Sequence, residues 1–140
     1  MKFTELNERV INWADQKGIL AKATPLRQVY KTQEELDETK ESLTAQANGL
    51  ETFLNSKGEM VNTKEQIIDD FGDQLVTVLI GCKLQGIDPL MCLESALNII
   101  EKRTENHEKN HRFEKKSRNP IFALGYDTDI PRIICNEDFY

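Results

Sequence analysis

Acidic residues on two stretches of this chain are spaced in a way that suits the binding of a divalent cation. The first stretch reads Glu34-Glu35-x-x-Glu38, and the second, which begins 32 residues after Glu38, reads Asp70-x-x-Asp73. Spacings of three and four place carboxylates within one turn of an α-helix. Ligand sets made only of oxygen suit Mg²⁺, and also Mn²⁺, and these ions bind substrate phosphates. If both stretches are helices that pack side by side, their acids converge on one site.

Each acidic stretch also has a simpler interpretation. The three glutamates are typical of a solvated helix face, because charge runs are usually solvated. Aspartates in the first turns of a helix favour the positive end of its dipole, which explains Asp69 well but explains Asp73, two turns in, poorly. A buried carboxylate costs several kcal/mol unless it is paired, hydrogen-bonded or bound to a metal. The second stretch therefore needs an explanation that the solvated face does not give.

Apolar periodicity predicts a central helix over Thr63–Gln85. Thr63 and Gln66 fit a capping box at its start. Val76, Ile80 and Leu84 make the far side of its second half apolar as well, so we expect this half to be buried all round. The main apolar face consists of Ile67, Ile68, Phe71, Leu75, Val78, Leu79 and Cys82.

Three further helices are expected around the central one. Gly18 ends the first, Thr24-Pro25 opens the second, which ends near Asn48-Gly49, and Asp88-Pro89 opens the last. Their expected inward faces are Phe3, Leu6, Val10, Trp13 and Ala14 in the first helix, Leu26, Val29, Leu36, Leu43, Ala47 and Leu50 in the second, and Leu90, Leu93, Leu97 and Ile100 in the last. Residues 51–62 read as a loop with a turn at Gly58. Short connections between amphipathic helices predict an all-α bundle of four to five helices.

Composition limits the classes of function. The chain has 140 residues and a net charge of −6, which argues against a general nucleic-acid binder. It has no long apolar run for a membrane span and no signal-peptide pattern at its start, so we expect a cytoplasmic protein. Cys82, Cys92 and Cys135 form no C-x-x-C pair and are expected to be reduced thiols.

The C-terminal part differs in charge and pattern from the rest. Residues 102–118 hold seven basic against three acidic residues. Beyond Asn119-Pro120, two apolar segments predict short strands or an extended arm that packs on the bundle or on a neighbouring subunit. We therefore divide the chain into a helical domain over 1–104 and a basic extension with an apolar arm over 105–140.

The ordered acidic pattern resembles that of a known family. It looks like the EExxE and ExxD motifs of the MazG-like, all-α nucleoside triphosphate pyrophosphohydrolases, and the resemblance covers about residues 5–104. The residues that carry it are Gln28-x-x-Lys31-x-x-Glu34-Glu35-x-x-Glu38 and Asp70-x-Gly72-Asp73. One position departs from the family pattern, because Asp70 stands where glutamate is usual. The shorter side chain implies a tighter or weaker site, in which Asp69 is an alternative participant.

The resemblance implies an activity and a set of site residues. In the family, acids of both motifs hold Mg²⁺, and a nucleoside triphosphate is hydrolysed to the nucleoside monophosphate and pyrophosphate by a metal-activated water. The resemblance also implies a homodimer or homotetramer. Carried over by position, the metal ligands are Glu35, Glu38, Asp70 and Asp73, the further ligand or water-orienting residue is Glu34, and the substrate-binding residues are Gln28, Lys31, Asn98 and Arg103. Trp13 is expected in the core, and its alternative role is substrate binding, because an indole near a nucleotide site offers a surface on which a base can stack.

Two other functions compete with this one. A non-catalytic helical interaction protein would keep the bundle and bind a partner through the basic segment and the apolar arm. His107-Glu108-x-x-His111 satisfies the HExxH motif of zinc proteases. The zinc helix of such proteases is normally lined with apolar residues, whereas polar and charged residues surround this match, so exposed histidines are the better interpretation.

Overall fold

A computed structural model describes the backbone of residues 1–109 and the side chains of residues 1–103. The described chain is mostly helical, as expected for the all-α class. Its elements are α1 (Phe3–Gln16), α2 (Ile19–Lys22), α3 (Pro25–Ala47), β1 (Thr52–Leu54), β2 (Met60–Asn62), α4 (Thr63–Gln85) and α5 (Pro89–Lys109).

The chain divides into two units between Pro89 and Leu90, so the first unit contains every element from α1 to α4. The expected boundary after residue 104 stays a prediction. The apolar arm, Cys135, most of the basic segment and the complete HExxH match lie outside the residues whose side chains are described.

Most helix boundaries follow the local signals in the sequence. Thr24 caps α3, since its hydroxyl oxygen accepts a hydrogen bond from the Arg27 backbone N–H at 3.1 Å, and Pro25 opens the helix. Gly86 ends α4 with a left-handed backbone, φ 74°, which glycine adopts at little cost. The predicted start of α3 and the predicted end of α4 are therefore confirmed.

The start of α4 differs from the prediction. Asn62 caps the helix, because its side-chain oxygen accepts a hydrogen bond from Glu65 N–H at 3.1 Å. The Thr63 hydroxyl instead donates to the Leu50 carbonyl at 2.7 Å, and the Gln66 amide donates to Asp70. The predicted capping box is wrong because the Thr63 side chain bonds outside the helix and the Gln66 side chain bonds to Asp70, one turn further along α4.

The segment expected to be a loop contains an antiparallel hairpin. Strands β1 and β2 pair Thr52 with Asn62 and Leu54 with Met60, and Gly58 turns the chain with φ 81°. Phe53 is buried on one face of the hairpin. The hairpin reverses the chain between α3 and α4 and brings these helices together in antiparallel orientation.

The contact between α3 and α4 is the most extensive in the first unit, and it is polar. The Thr32 hydroxyl donates a hydrogen bond to the Thr77 hydroxyl oxygen at 2.9 Å. The Gln28 side-chain amide donates to the Thr77 backbone carbonyl at 3.2 Å. Gln74 donates to the Thr39 hydroxyl. The buried polar residues of the two helices are Gln28, Glu35, Thr39, Ser42, Thr63, Asp70 and Thr77.

The apolar faces of the same helices are largely exposed. We call them the outer apolar surface, whose members are between 37% and 72% exposed. They are Leu26, Val29, Leu36 and Leu43 of α3, Leu50 just beyond the end of α3, and Ile68, Phe71, Leu75 and Val78 of α4. The predictions that the α3 stripe faces inward and that the second half of α4 is buried all round are therefore wrong within the described chain. The seam between these helices is occupied by polar side chains, so the apolar residues face elsewhere.

Other predicted inward residues are also exposed. Phe3, Leu6 and Trp13 of α1 are 43%, 44% and 47% exposed, and Leu93 of α5 is 64% exposed. Among the described side chains, the buried apolar residues are Ala14, Ala45, Phe53 and Ile80. Periodicity located the apolar faces correctly but did not show whether the same chain covers them.

Within the described residues, no single helix has the length and apolar character that crossing a membrane requires.

The polar seam generates a prediction about stability. Thr77→Val should lower the free energy of unfolding by about 1–2 kcal/mol, because the Thr32 hydroxyl loses its partner on α4. The double variant T32V/T77V should cost less than the sum of the single variants, since it removes both polar partners. Urea denaturation at one fixed protein concentration measures all three.

Thr44→Val is the control for this comparison. Thr44 is exposed on α3, and its hydroxyl donates to the Lys40 carbonyl of the same helix. It should change stability by about 0.5 kcal/mol or less. Strict additivity of the Thr32 and Thr77 variants would contradict the assigned contact.

Candidate functional site

The antiparallel helices α3 and α4 bring together the four predicted metal ligands. The charges of Glu38 and Asp73 act on Glu35, and the charges of Asp70 and Glu38 act on Asp73. The two acidic stretches therefore lie close enough for their charges to interact, and their role as metal ligands stays a prediction. We call Glu35, Glu38, Asp70 and Asp73 the acidic cluster.

Two members of the acidic cluster are buried with an oxygen that has no hydrogen-bond partner. Asp70 is 0% exposed, and its Oδ1 accepts from the Gln66 amide at 2.7 Å, whereas its Oδ2 has no partner. Glu35 is 7% exposed, and its Oε1 lies 3.3 Å from Lys31 Nζ, whereas its Oε2 has none. Burial without a partner is costly for a carboxylate oxygen. The solvated-face interpretation is therefore wrong for Glu35, and exposure at the start of α4 does not explain Asp70.

Burial also perturbs the titration of the cluster. Burial is the main reason that the pKa of Glu35 lies above its usual value. The hydrogen bond from Lys31 lowers this pKa, whereas the charges of Glu38 and Asp73 raise it. Desolvation likewise raises the pKa of Asp73, with further increases from Asp69, Asp70 and Glu38. The folded chain thus disfavours the charged form of both groups and would gain from a positive charge beside them.

A cleft of about 610 Å³ opens beside the acidic cluster. Its volume falls in the range typical of small-molecule sites. Five predicted site residues line it, namely Trp13, Gln28, Lys31, Glu35 and Asp73. The side chain of Trp13 is about half exposed, so part of the indole is accessible in the cleft, whereas the sequence favoured a core position.

Three basic residues of the cleft were not predicted. Lys17, Lys22 and Arg27 line it together with the turn at Gly18. They come from the connection between α1 and α2, from the last residue of α2 and from the first turn of α3, and none belongs to a recognisable motif. The only sequence signal was a local excess of basic residues around two helix boundaries, which is too common to identify a site.

The other two members of the acidic cluster line a second, smaller cavity. Glu38 and Asp70 face a space of about 30 Å³ that the hairpin also lines, through Phe53 and Lys57. This volume suffices for one or two water molecules. The acidic cluster therefore has one pair of residues on the cleft and one pair on the cavity beneath the hairpin.

The remaining predicted site residues lie elsewhere. Glu34 is exposed, and its Oε2 accepts a hydrogen bond from Lys31 Nζ at 2.9 Å. This bond is the main cause that raises the pKa of Lys31. Asp69 is exposed on α4. Asn98 and Arg103 are exposed on α5, in the second unit, and their role in substrate binding stays a prediction.

The donor set of the acidic cluster fits a hard divalent cation. Its ligands are all carboxylate oxygens, and two of them are buried oxygens without partners. In the part of the chain that the structure describes, no three side chains of His, Cys, Asp or Glu stand in a ready-made metal-binding group. The chemical nature of the donors, and not a closed coordination geometry, is what matches Mg²⁺.

No family model, curated protein or solved structure matches this chain. The likeness to the MazG-like enzymes therefore rests on the residues of the two acidic motifs.

The raised pKa values predict how stability depends on pH without metal. Glu35 and Asp73 bind protons more tightly in the folded chain than in the unfolded one, so their charged forms destabilise the fold at neutral pH. This penalty should be relieved as pH falls from neutral through the raised pKa values towards the usual carboxyl range. The melting temperature of the metal-free protein should therefore rise as the pH is lowered from 7.5 to 5.

Glu35→Gln should flatten this dependence, because it removes one of the two titrating groups. Added Mg²⁺ should also flatten or reverse it, since metal binding requires deprotonated carboxylates. Asp37→Asn, which removes an exposed carboxylate from the same helix, is the control. An Asp37→Asn profile as flat as that of Glu35→Gln would contradict the assignment.

Proposed function

We propose that the protein is a Mg²⁺-dependent nucleoside triphosphate pyrophosphohydrolase that releases a nucleoside monophosphate and pyrophosphate. The observation on which this depends is the pair of buried carboxylates, Glu35 and Asp70, each with an oxygen that lacks a partner; Glu35 lines the cleft of about 610 Å³, and Asp70 lines the small cavity beneath the hairpin. A helical bundle of the all-α pyrophosphohydrolase type is the architecture that goes with this function. The substrate class, NTP or dNTP, follows from the same proposal.

Residues along α3 give the cleft two chemically different ends. Gln28 and Glu35 are seven residues apart, which corresponds to about 10 Å along a helix. Arg27 and Gln28 lie near the start of α3, and Glu35 lies about two turns further along it; Lys17 and Lys22 add positive charge to the lining of the cleft, and Asp73 adds negative charge. A nucleotide that extends through the cleft would therefore place its phosphates and its nucleoside in different environments.

We assign the acidic end to the triphosphate and Trp13 to the base. A half-exposed indole offers a face on which any base can stack. Lys31 carries positive charge in the same cleft and would bind a phosphate oxygen, a role for which its pairs with Glu34 and Glu35 hold it in place. Magnesium, when bound to the acidic cluster, would supply neutralisation of phosphate charge and a water of lowered pKa.

Removal of a cluster carboxylate tests the enzyme proposal. Glu38→Ala and Asp73→Ala should each lower Mg²⁺-dependent pyrophosphate release by about 100-fold or more, because each removes a ligand and charge from the site. Asp37→Ala, an exposed acid next to Glu38 in sequence, should retain activity within about twofold. The assay uses a panel of canonical and modified NTPs and dNTPs and reads pyrophosphate.

Unchanged release in both cluster variants would refute the enzyme proposal. Calorimetry with Mg²⁺ and a non-hydrolysable triphosphate, together with the fluorescence of the single tryptophan, separates it from the alternative. A non-catalytic interaction protein should show neither metal-dependent nucleotide binding nor quenching of Trp13.

The outer apolar surface supports the second part of the proposal, which is association of two copies. Eight large apolar side chains on α3 and α4, together with Leu50 just beyond α3, are exposed, whereas four apolar residues are buried among the described side chains. Large exposed apolar surfaces often mark an interface. The same face on a second copy offers a self-complementary partner, as in most two-fold symmetric dimers.

Leu75→Lys tests this assignment. Leu75 is 64% exposed, so the substitution is compatible with the isolated chain, but a lysine in the dimer interface would be desolvated without a partner. Analytical ultracentrifugation should show a dimer or larger oligomer for the unmodified protein and a smaller species for Leu75→Lys. Leu54→Lys, at a similarly exposed position on the hairpin, is the control.

A monomeric unmodified protein, or an assembly that Leu75→Lys leaves intact, would contradict the role of this face. In the second case another surface, or the C-terminal arm, mediates association.

A further inference from the structure

Lys57 on the hairpin brings a cation to the acidic cluster at the small cavity beneath the hairpin. Its Nζ lies 3.5 Å from Glu38 Oε1. Lys57, Glu38 and Asp70 line the same small cavity. The charge of Lys57 also acts on Asp73, whose pKa it lowers. One lysine therefore interacts with both acidic stretches, although no sequence motif includes it.

The backbone of the turn is fixed independently of this ion pair. Asn55 Oδ1 accepts hydrogen bonds from the backbone N–H groups of Lys57 and Glu59, at 3.0 Å and 2.9 Å. The backbone N–H of Ser56 donates to Glu41 Oε1 of α3 at 2.7 Å. The turn is thus tied to α3 one helical turn beyond Glu38, and the Lys57 side chain can leave Glu38 without loss of the hairpin.

The ion pair is also exposed enough to be exchanged. The side chains of Lys57 and Glu38 are 63% and 28% exposed. Ion pairs in contact with water are weak, whereas a buried pair would be difficult to break. A divalent cation that offers twice the charge to the same carboxylate can therefore displace this ammonium group.

We propose that Lys57 is an internal counter-cation of the acidic cluster, which pairs with Glu38 in the metal-free protein and leaves it when a divalent cation binds. The inference rests on the proposed function, because it requires that the cluster binds such a cation. Lys57 is then a positioning residue that sets metal affinity, and it has no contact with the reacting atoms. The cluster is partly neutralised at all times, by lysine or by metal.

Titration of Mn²⁺ alone, followed by calorimetry, tests the exchange. Lys57→Met should bind Mn²⁺ about three- to tenfold more tightly than the unmodified protein, because the competing cation is gone. Without metal, Lys57→Met should melt at a lower temperature, since the repulsion among the carboxylates is no longer offset. Its gain in melting temperature on addition of Mn²⁺ should exceed that of the unmodified protein.

Two variants separate exchange from a general effect of charge. Lys40 is exposed on α3 and forms no ion pair with another described residue, so Lys40→Met removes the same charge and should leave Mn²⁺ affinity within twofold. Lys57→Arg retains the cation and should bind Mn²⁺ as the unmodified protein does. Circular dichroism of each metal-free variant checks that the helices are intact, and Lys57→Gln replaces Lys57→Met if the latter does not fold.

The possible results distinguish the role of Lys57 from the existence of the metal site. Unchanged or weaker Mn²⁺ binding by Lys57→Met, or equal tightening by Lys40→Met, overturns the role of Lys57 while the proposed metal site stands. Absence of Mn²⁺ binding by the unmodified protein overturns both this inference and the proposed function.

Discussion

The desolvation of Glu35 and Asp70 is the constraint on which the rest of the structure depends. Both carboxylates lie in the seam between α3 and α4, where each has an oxygen without a partner. A seam that contains such groups cannot be filled with leucine and isoleucine, because an apolar surrounding would increase the cost of the charges. Thr32 and Thr77 bond across it, and the two helices are joined by hydrogen bonds that specify their register.

The polar seam has a consequence for how the protein is stabilised. Hydrogen bonds that replace bonds to water contribute little net free energy, so most of the stability of a helix pair must come from apolar burial. The apolar residues of α3 and α4 lie on the faces away from the seam, and these faces are exposed in the single chain. The packing of α3 against α4 thus forms the site but does not bury the apolar surface. We propose that a second copy of the chain covers this surface.

Sequence patterns predicted the local structure better than the packing. Thr24-Pro25 and Gly86 fixed helix ends because capping acts within a few residues. The acidic spacing predicted that the carboxylates lie near one another if the two helices pack side by side; α3 and α4 do so, and the role of the carboxylates as metal ligands stays a prediction. The prediction that the apolar face of α3 points inward was wrong, because apolar periodicity is the same for a face in the core of its own chain and for a face in an interface with another chain. Lys57 was missed because its partner, Glu38, is nearly twenty residues away and only the hairpin brings them together.

The unequal distribution of charge in the cleft makes the orientation of a ligand depend on the metal. Without a divalent cation, Glu35 and Asp73 repel phosphates, whereas Lys17, Lys22 and Arg27, which line the same cleft, attract them. A cation on the acidic cluster would weaken this repulsion, because it offsets the negative charge of the carboxylates and offers positions at which phosphate oxygens bind. Under the proposed function, the same ion that would support hydrolysis would also decide which end of the nucleotide faces the acids. Under this proposal the buried carboxylates account for the orientation of the substrate as well as for its reactivity. The unfavourable free energy of burying them is then a consequence of the need for a metal site.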